Sequence, residues 1–148
     1  GYKVADIPEQ LVEIYHLRKA IEGYCARLVA ETGSPGLVAA LRDNLAAHRA
    51  IACDDLAGHG RLNSAFHDMI AEACPSRKVR ERAAELRDFI FSPEEVELRP
   101  DQETVTAFLD EHELIIDAIE ARDGDTAARS TRRHLERSVQ LVLSMRAG

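Results

Sequence analysis

Several polar side chains that could bind a metal ion or a ligand stand at positions where helical spacing predicts a buried face. Asn63 and His67 are four residues apart, so on a helix both side chains project from the same side. Helices use this i, i+4 arrangement with a histidine to bind metal ions. His112 and His134 each fall in an otherwise apolar stripe. A lone histidine on such a face is usually a hydrogen-bonded core residue, so the spacing leaves both interpretations open.

The positions of His112 and His134 predict that their side chains lie at matching heights in a helical hairpin. His112 is about 12 residues before the turn signal DGD at 123–125, and His134 is about 10 residues after it. With a rise of about 1.5 Å per residue, both lie roughly 15–18 Å from the turn. Sites in bundle cores are built from facing helices in this way. Imidazoles with one oxygen suit zinc, nickel, iron, manganese or copper.

Arg18 interrupts the apolar stripe of the first predicted helix. The other members of that stripe are Leu11, Ile14, Ile21, Cys25 and Leu28. A buried guanidinium must be paired, because an isolated charge is very costly in a low-dielectric interior. One interpretation is an ion pair with a carboxylate on another helix, and the other is a fork that grips a carboxylate ligand.

The remaining histidines and the cysteines do not join this set. His16 and His48 fall off the apolar stripes and are predicted to lie at the surface. For His59, a solvated position near the start of its helix is favoured, with a pocket residue as the alternative. The cysteines at 25 and 74 are predicted to be small core residues, and the one at 53 a helix-end residue.

Six amphipathic segments carry these side chains. Ala, Leu, Glu and Arg dominate the sequence, and apolar residues recur at steps of three and four, which is typical of helices. The predicted helices span residues 8–32, 36–52, 55–74, 77–92, 102–121 and 125–146. Their short connections predict an all-α, antiparallel bundle of about six helices, forming a single domain over 1–148.

Length, charge and cysteine usage exclude several classes of protein. The chain has 148 residues, 45% of them hydrophobic, which is enough for one domain with a sizeable core. Its formal charge of −7 lacks the positive field that phosphate backbones demand, so it is not expected to bind nucleic acid by itself. No apolar run is long enough for a membrane span, and no signal peptide is recognisable. Three cysteines without CxxC spacing favour the cytoplasm.

The motifs around these residues resemble those of the FCD domain, the C-terminal effector-binding domain of GntR-type bacterial transcription regulators of the FadR subfamily. Residues 11–22, LVEIYHLRKAIE, are similar to the family's opening R-x-x-hydrophobic-E pattern. Residues 63–67, NSAFH, resemble its D-x-x-F-H motif, with Asn63 in the aspartate position. The family's closing signature has its counterpart in EHELIIDAI at 111–119, Asp123, AAR at 127–129 and HL at 134–135. The likeness covers almost the whole chain.

The resemblance implies a metal-assisted binding site in the bundle core and no enzyme activity. The family's metal ligands correspond to Asn63, His67, His112 and His134. The implied ion is a divalent metal, zinc or nickel first, with manganese and iron as alternatives. It helps to hold a small carboxylate effector, and Arg18 corresponds to the residue that reaches into the same cavity. Because Asn63 replaces an acidic ligand, metal affinity is expected to fall or metal preference to shift.

The resemblance also implies partners. Family members carry a winged-helix DNA-binding domain before this one, and residues 1–7 are too short to contain it. The chain is therefore expected to be an excised effector domain, with DNA contact made only by that N-terminal domain. A homodimer is expected, because operators are typically two-fold symmetric. The apolar residues predicted to form its contact, on the first and fourth helices, are Tyr24, Val29, Phe89 and Phe91.

Two other classes of function remain open at this point. Three histidines with an open position on zinc also make a hydrolytic site, so a metal-dependent, hydrolase-like enzyme is one alternative. A structural helical module with hydrogen-bonded core histidines and no metal is the other.

Overall fold

The computed structural model describes residues 7–87 and 99–147 of the chain, with side chains described over 9–87 and 99–144. Within those ranges all regular secondary structure is helical. The six helices are α1 (Ile7–Thr32), α2 (Leu37–Ala50), α3 (Leu56–Glu72), α4 (Arg77–Arg87), α5 (Gln102–Glu120) and α6 (Gly124–Ala147). The predicted all-α fold is confirmed. The helix ends agree with the predicted ones to within about two residues, except that the predicted end of α4 lies outside the described residues.

Glycines and capping aspartates in the sequence explain where several helices begin and end. Gly33 and Gly36, with φ of 76° and 80°, supply the left-handed backbone that ends α1 and starts α2. Asp55 caps α3 by accepting a hydrogen bond from the backbone N–H of Gly58 at 2.9 Å. Asp101 caps α5 in the same way, accepting from the N–H of Thr104 at 2.8 Å. These turns and caps fix where each helix enters the bundle.

Ion pairs along the helix contacts show that neighbouring helices run antiparallel. Between α1 and α6, which make the most extensive contact in the bundle, Lys19 pairs with Glu136 and Arg27 with Asp125. Between α2 and α5, Arg42 pairs with Asp117 and Arg49 with Asp110. In both cases the residue numbers rise on one helix as they fall on the other.

The core consists of two apolar clusters with a buried polar layer between them. One cluster contains Phe66 and Ile116, and the other contains Leu11 and Leu135. In the sequence of α1 and in that of α6, buried polar residues stand between residues of one apolar cluster and residues of the other. The buried polar side chains in this layer are Arg18, Glu22, His67, His112, Thr131 and His134. This polar layer holds the side chains that could bind a metal ion or a ligand.

The buried face of α1 differs from the predicted stripe. Tyr15, Glu22 and Val29 are buried, whereas their predicted neighbours Ile14, Ile21 and Leu28 are only half-buried. Both stripes repeat every seven residues and share Leu11, Arg18 and Cys25, but the observed stripe is one residue further along on its other flank, because that flank faces the helices that pack against α1. The correction adds Glu22 to the buried set.

The exposure of individual side chains also tests which of the predicted residues can form a dimer contact. Val29 is 1% exposed and packs within the core, so that assignment is wrong. Tyr24 is exposed on α1. Phe89 and Phe91 lie outside the described residues.

Candidate metal centre

Three histidines from three helices converge in the polar layer. One nitrogen each of His67 on α3, His112 on α5 and His134 on α6 lie within 4.8 Å of one another. All three side chains are buried, and we call them the histidine triad. His112 and His134 lie at matching heights, as the hairpin spacing predicts, because their Nε2 atoms are 3.2 Å apart.

The separation of these two nitrogens suits shared coordination of a metal ion. Imidazole nitrogens bind zinc at about 2.0–2.1 Å, which places neighbouring ligand atoms roughly 2.9–3.4 Å apart in octahedral or tetrahedral geometry. The observed 3.2 Å falls in that interval. It also permits a hydrogen bond between the two rings, which is the metal-free alternative.

Glu111 and Arg137 fix the orientation of His134. Nδ1 of His134 donates to Oε1 of Glu111 at 2.9 Å, and the other oxygen of Glu111 accepts from Arg137 at 3.0 Å. A neutral imidazole that donates from Nδ1 keeps its lone pair on Nε2, the atom that faces His112. Carboxylates hold metal-binding histidines in this way and make them better ligands.

Arg18 and Glu22 lie beside His67, whereas Glu111 and Arg137 lie beside His134. Nε of Arg18 lies 2.5 Å from one oxygen of Glu22, whose other oxygen is 3.6 Å from Nδ1 of His67. Arg18 is thus in an ion pair, but its partner is on its own helix, one turn away, and not on another helix as the sequence interpretation had it. Burial is the largest single influence and lowers the pKa of Arg18, but the interactions with Glu22 and Tyr15 together outweigh burial, and the pKa is raised. Arg18 therefore stays charged.

Two members of the triad, His67 and His112, are held neutral by their surroundings. Burial holds the pKa of His67 and that of His112 well below the usual range for histidine, and the neighbouring His134 lowers both further. Metal ions bind imidazole in its neutral form, so these two side chains are ready for ligation. Phe66 stacks on His112 with ring centroids 3.9 Å apart and an interplanar angle of 6°, which fixes the plane of that ring.

Asn63 lies beside the triad on the side of α3 that faces a cavity. It lines a cavity of about 100 Å³ together with His112. Its Oδ1 atom is buried and has no hydrogen-bond partner among the described residues. An unpaired amide oxygen in a buried position is costly, which makes it suitable for a metal ion or a ligand.

His48 and His59 are functional candidates that the sequence interpretation misplaced. Both are buried, so the predicted surface position of His48 is wrong, as is the solvated position favoured for His59. Nε2 of His48 lies 2.9 Å from Nδ1 of His59, and burial, together with His59, lowers the pKa of His48 to about 4. A signal was present, because His48 continues the steps of Leu41 and Leu45 on the buried face of α2.

The other predictions for single residues hold. His16 is exposed, and Cys25 and Cys74 are buried core residues. Cys53, beyond the end of α2, contacts the backbone oxygen of Pro100 at 3.0 Å. None of the three cysteines joins the triad.

The bundle buries imidazoles and an arginine–carboxylate pair in its core, which is where helical bundles build metal and ligand sites. The family model of the FCD domain matches residues 13–137, so the chain belongs to the FCD domain family, which supplies the ligand-binding domain of GntR-type regulators. A search of curated proteins finds no match. In the part of the chain that the structure describes, none of the helices combines the length and the apolar character that crossing a membrane requires.

Proposed function

We propose that this domain senses a small carboxylate through a divalent metal ion bound in its core. The histidine triad would hold the metal together with the amide oxygen of Asn63, and zinc or nickel would be the preferred ion, with manganese and iron as alternatives. The single observation that carries the proposal is the convergence of three buried imidazole nitrogens within 4.8 Å in a ligand-binding domain.

The metal would supply a positive charge that binds the effector's carboxylate as a Lewis acid. Three imidazoles are neutral ligands and leave the full charge of the ion available to an anion. Glu111 and Glu22 lie beside His134 and His67, and each is paired with an arginine, so neither carboxylate is free to bind the ion in place of the effector. Effector binding would then change the affinity of a winged-helix domain, N-terminal in the regulator, for its operator. We place the regulator in the FadR subfamily, as a cytoplasmic homodimer.

Metal analysis of the protein purified without a histidine tag tests the metal centre. We expect one divalent ion per chain by elemental analysis, and we expect the His134→Ala variant to lose it. The matched control is His16→Ala, which removes an exposed histidine from α1 and leaves the metal content unchanged. A wild-type protein that neither contains nor takes up zinc or nickel would support the metal-free structural module.

Arg18 enters the proposal as a residue that exchanges its partner. Its guanidinium is held by Glu22, so a bound effector would compete with that carboxylate for Arg18, and the positive charge of the metal would balance the added negative charge. We expect Arg18→Ala to abolish stabilisation by small carboxylates in a thermal-shift screen, while Glu22→Gln, which frees the guanidinium, strengthens their binding several-fold. If Glu22→Gln instead weakens both metal and carboxylate binding, Arg18 acts only through Glu22. Turnover of a bound compound would favour the enzyme alternative.

A further inference from the structure

A cavity of about 100 Å³ lies between α2, α3 and α5, next to the histidine triad, and we call it the His48 cavity. That volume is several times the space that one buried water needs, so the cavity can admit the end of a small organic molecule. Its walls are mostly apolar, and no lysine or arginine lines it among the described residues. The lining residues are His48, His59, Asn63, Pro100, Thr104, Val105, Phe108, Leu109, His112 and Leu141.

A chain of hydrogen bonds makes His48 a hydrogen-bond acceptor toward this cavity. Nε2 of His59 lies 3.0 Å from the carbonyl oxygen of Ala52, which can only accept, so this nitrogen carries the proton. When His59 carries its one proton on Nε2, its Nδ1 accepts from Nε2 of His48 at 2.9 Å. Nδ1 of His48 is left with a lone pair, and it is buried without a partner among the described residues.

Two further buried atoms of the cavity lining lack partners among the described residues. Oδ1 of Asn63 is an acceptor, and Nδ1 of His112 is the nitrogen opposite the one that faces His134. When Nε2 of His112 binds a metal, its Nδ1 carries the proton and becomes a donor. With Oδ1 of Asn63 assigned to the proposed metal, the cavity still offers an acceptor at Nδ1 of His48 and a donor at Nδ1 of His112. A hydroxyl group can satisfy both kinds, whereas a carboxylate only accepts and an ammonium only donates.

We infer that the His48 cavity receives the end of the effector opposite its carboxylate and selects a hydroxyl group there, with His48 as the specificity-determining residue. This inference rests on the proposed function for the carboxylate end, because the cavity shares His112 and Asn63 with the proposed metal centre. A ligand without the hydroxyl would leave buried polar atoms unpaired, and sites built to bind a hydroxyl discriminate strongly against such analogues.

Paired acids test the inference by isothermal titration calorimetry on the zinc-loaded 148-residue chain. The pairs are butyrate with 3-hydroxybutyrate and pentanoate with 4-hydroxypentanoate, which differ only in a hydroxyl remote from the carboxylate. We expect the hydroxylated member of at least one pair to bind at least tenfold more tightly. In the His48→Leu variant, which replaces the acceptor by an apolar side chain, we expect this preference to fall below threefold.

The matched control is His16→Leu, the same substitution at an exposed histidine, which should keep the full preference. If His48→Leu does not fold, the acid pairs still test the inference on the unaltered protein. Equal affinity within both pairs, or zinc binding without binding of any of the four acids, would overturn the inference and leave the metal centre in place. Failure to bind zinc at all would overturn the proposed function itself.

Discussion

Glu111 is the residue on which the geometry of the proposed metal centre depends most directly. It is half-buried and accepts from His134 with one oxygen and from Arg137 with the other. The first contact fixes which nitrogen of His134 is available, and the second holds the carboxylate in place. A change at Glu111 therefore acts on the metal only through the orientation and basicity of His134.

We expect Glu111→Gln to weaken zinc binding about tenfold, at the lower end of the range seen for partners of metal-binding histidines. The glutamine oxygen can still accept from His134, but its charge is lost and its amide group opposes Arg137. Competition with a chelator of known affinity measures the effect. Glu113→Gln is the control, because Glu113 pairs with Arg49 on the outer face of α5. Equal zinc affinity of the wild type and Glu111→Gln would contradict the role of the Glu111 charge in making His134 a better ligand.

Asn63 gives a second prediction at this scale. We expect Asn63→Asp to strengthen zinc binding at least tenfold, because a carboxylate adds a negative charge where the amide oxygen is now buried and unpaired. The same change without metal should lower the melting temperature, since it leaves a charge in a buried position. Calorimetric titration and thermal melting measure the two effects. Zinc affinity that does not change would remove Asn63 from the ligand set.

At the scale of the helices, the turn between α5 and α6 sets the register of the centre. Arg122 has a φ of 58°, which is uncommon for a residue with a side chain, and its guanidinium donates to the carbonyl oxygens of Ala30 and Glu31 at the end of α1. One residue therefore turns the chain between His112 and His134 and also satisfies two carbonyls of a third helix.

We expect Arg122→Ala to lower the free energy of unfolding by about 1 kcal/mol, the loss of hydrogen bonds from a charged group at a partly exposed site. Alanine is strained by the same positive φ, so the difference reports the side chain and not the backbone. Urea denaturation measures it. Arg77→Ala, which removes an exposed i, i+4 pair with Glu81, should stay within about 0.5 kcal/mol of the wild type. A loss no larger than that control would contradict the capping role.

The helices and the pairing of His112 with His134 could be predicted because they follow from repeating geometry. Helical rise, a short turn and side-chain periodicity are nearly constant between proteins. Glu22 was not predicted to be buried because one flank of the buried stripe on α1 is shifted by one residue. That shift depends on which helices pack against α1. The partner of Arg18 was missed for the same reason, since the choice between carboxylates depends on packing.

His48 shows a different limit of sequence interpretation. Its position on the buried face of α2 could be read from Leu41 and Leu45, but its role could not. The direction of the hydrogen bonds is set by the carbonyl of Ala52, in the loop after α2, and no periodicity describes a loop. Positions of side chains on helices are thus predictable from sequence, whereas the partners that fix their chemistry depend on tertiary structure.

At the scale of the whole molecule, the polar layer interrupts the apolar core, and a metal ion would join the helices across it. The triad takes one side chain each from α3, α5 and α6; α5 packs directly on α6, whereas the backbone of α3 lies against α1, α2 and α4. Binding to the folded state alone stabilises that state in proportion to the logarithm of ligand concentration. A bound metal would then add to the stability that the layer already has from the Arg18–Glu22 pair and the contact of His134 with Glu111.

We expect free zinc at 100 times its Kd to add about 2.7 kcal/mol to the free energy of unfolding. For a domain of this length, that corresponds to a rise in Tm of about 10 °C over the chelated protein. Differential scanning calorimetry in zinc buffers and in excess chelator measures the difference. His134→Ala should show a rise below about 2 °C, because two imidazoles bind zinc far more weakly than three. An equal rise in both proteins would mean that zinc binds elsewhere and that the polar layer is stabilised by its own hydrogen bonds.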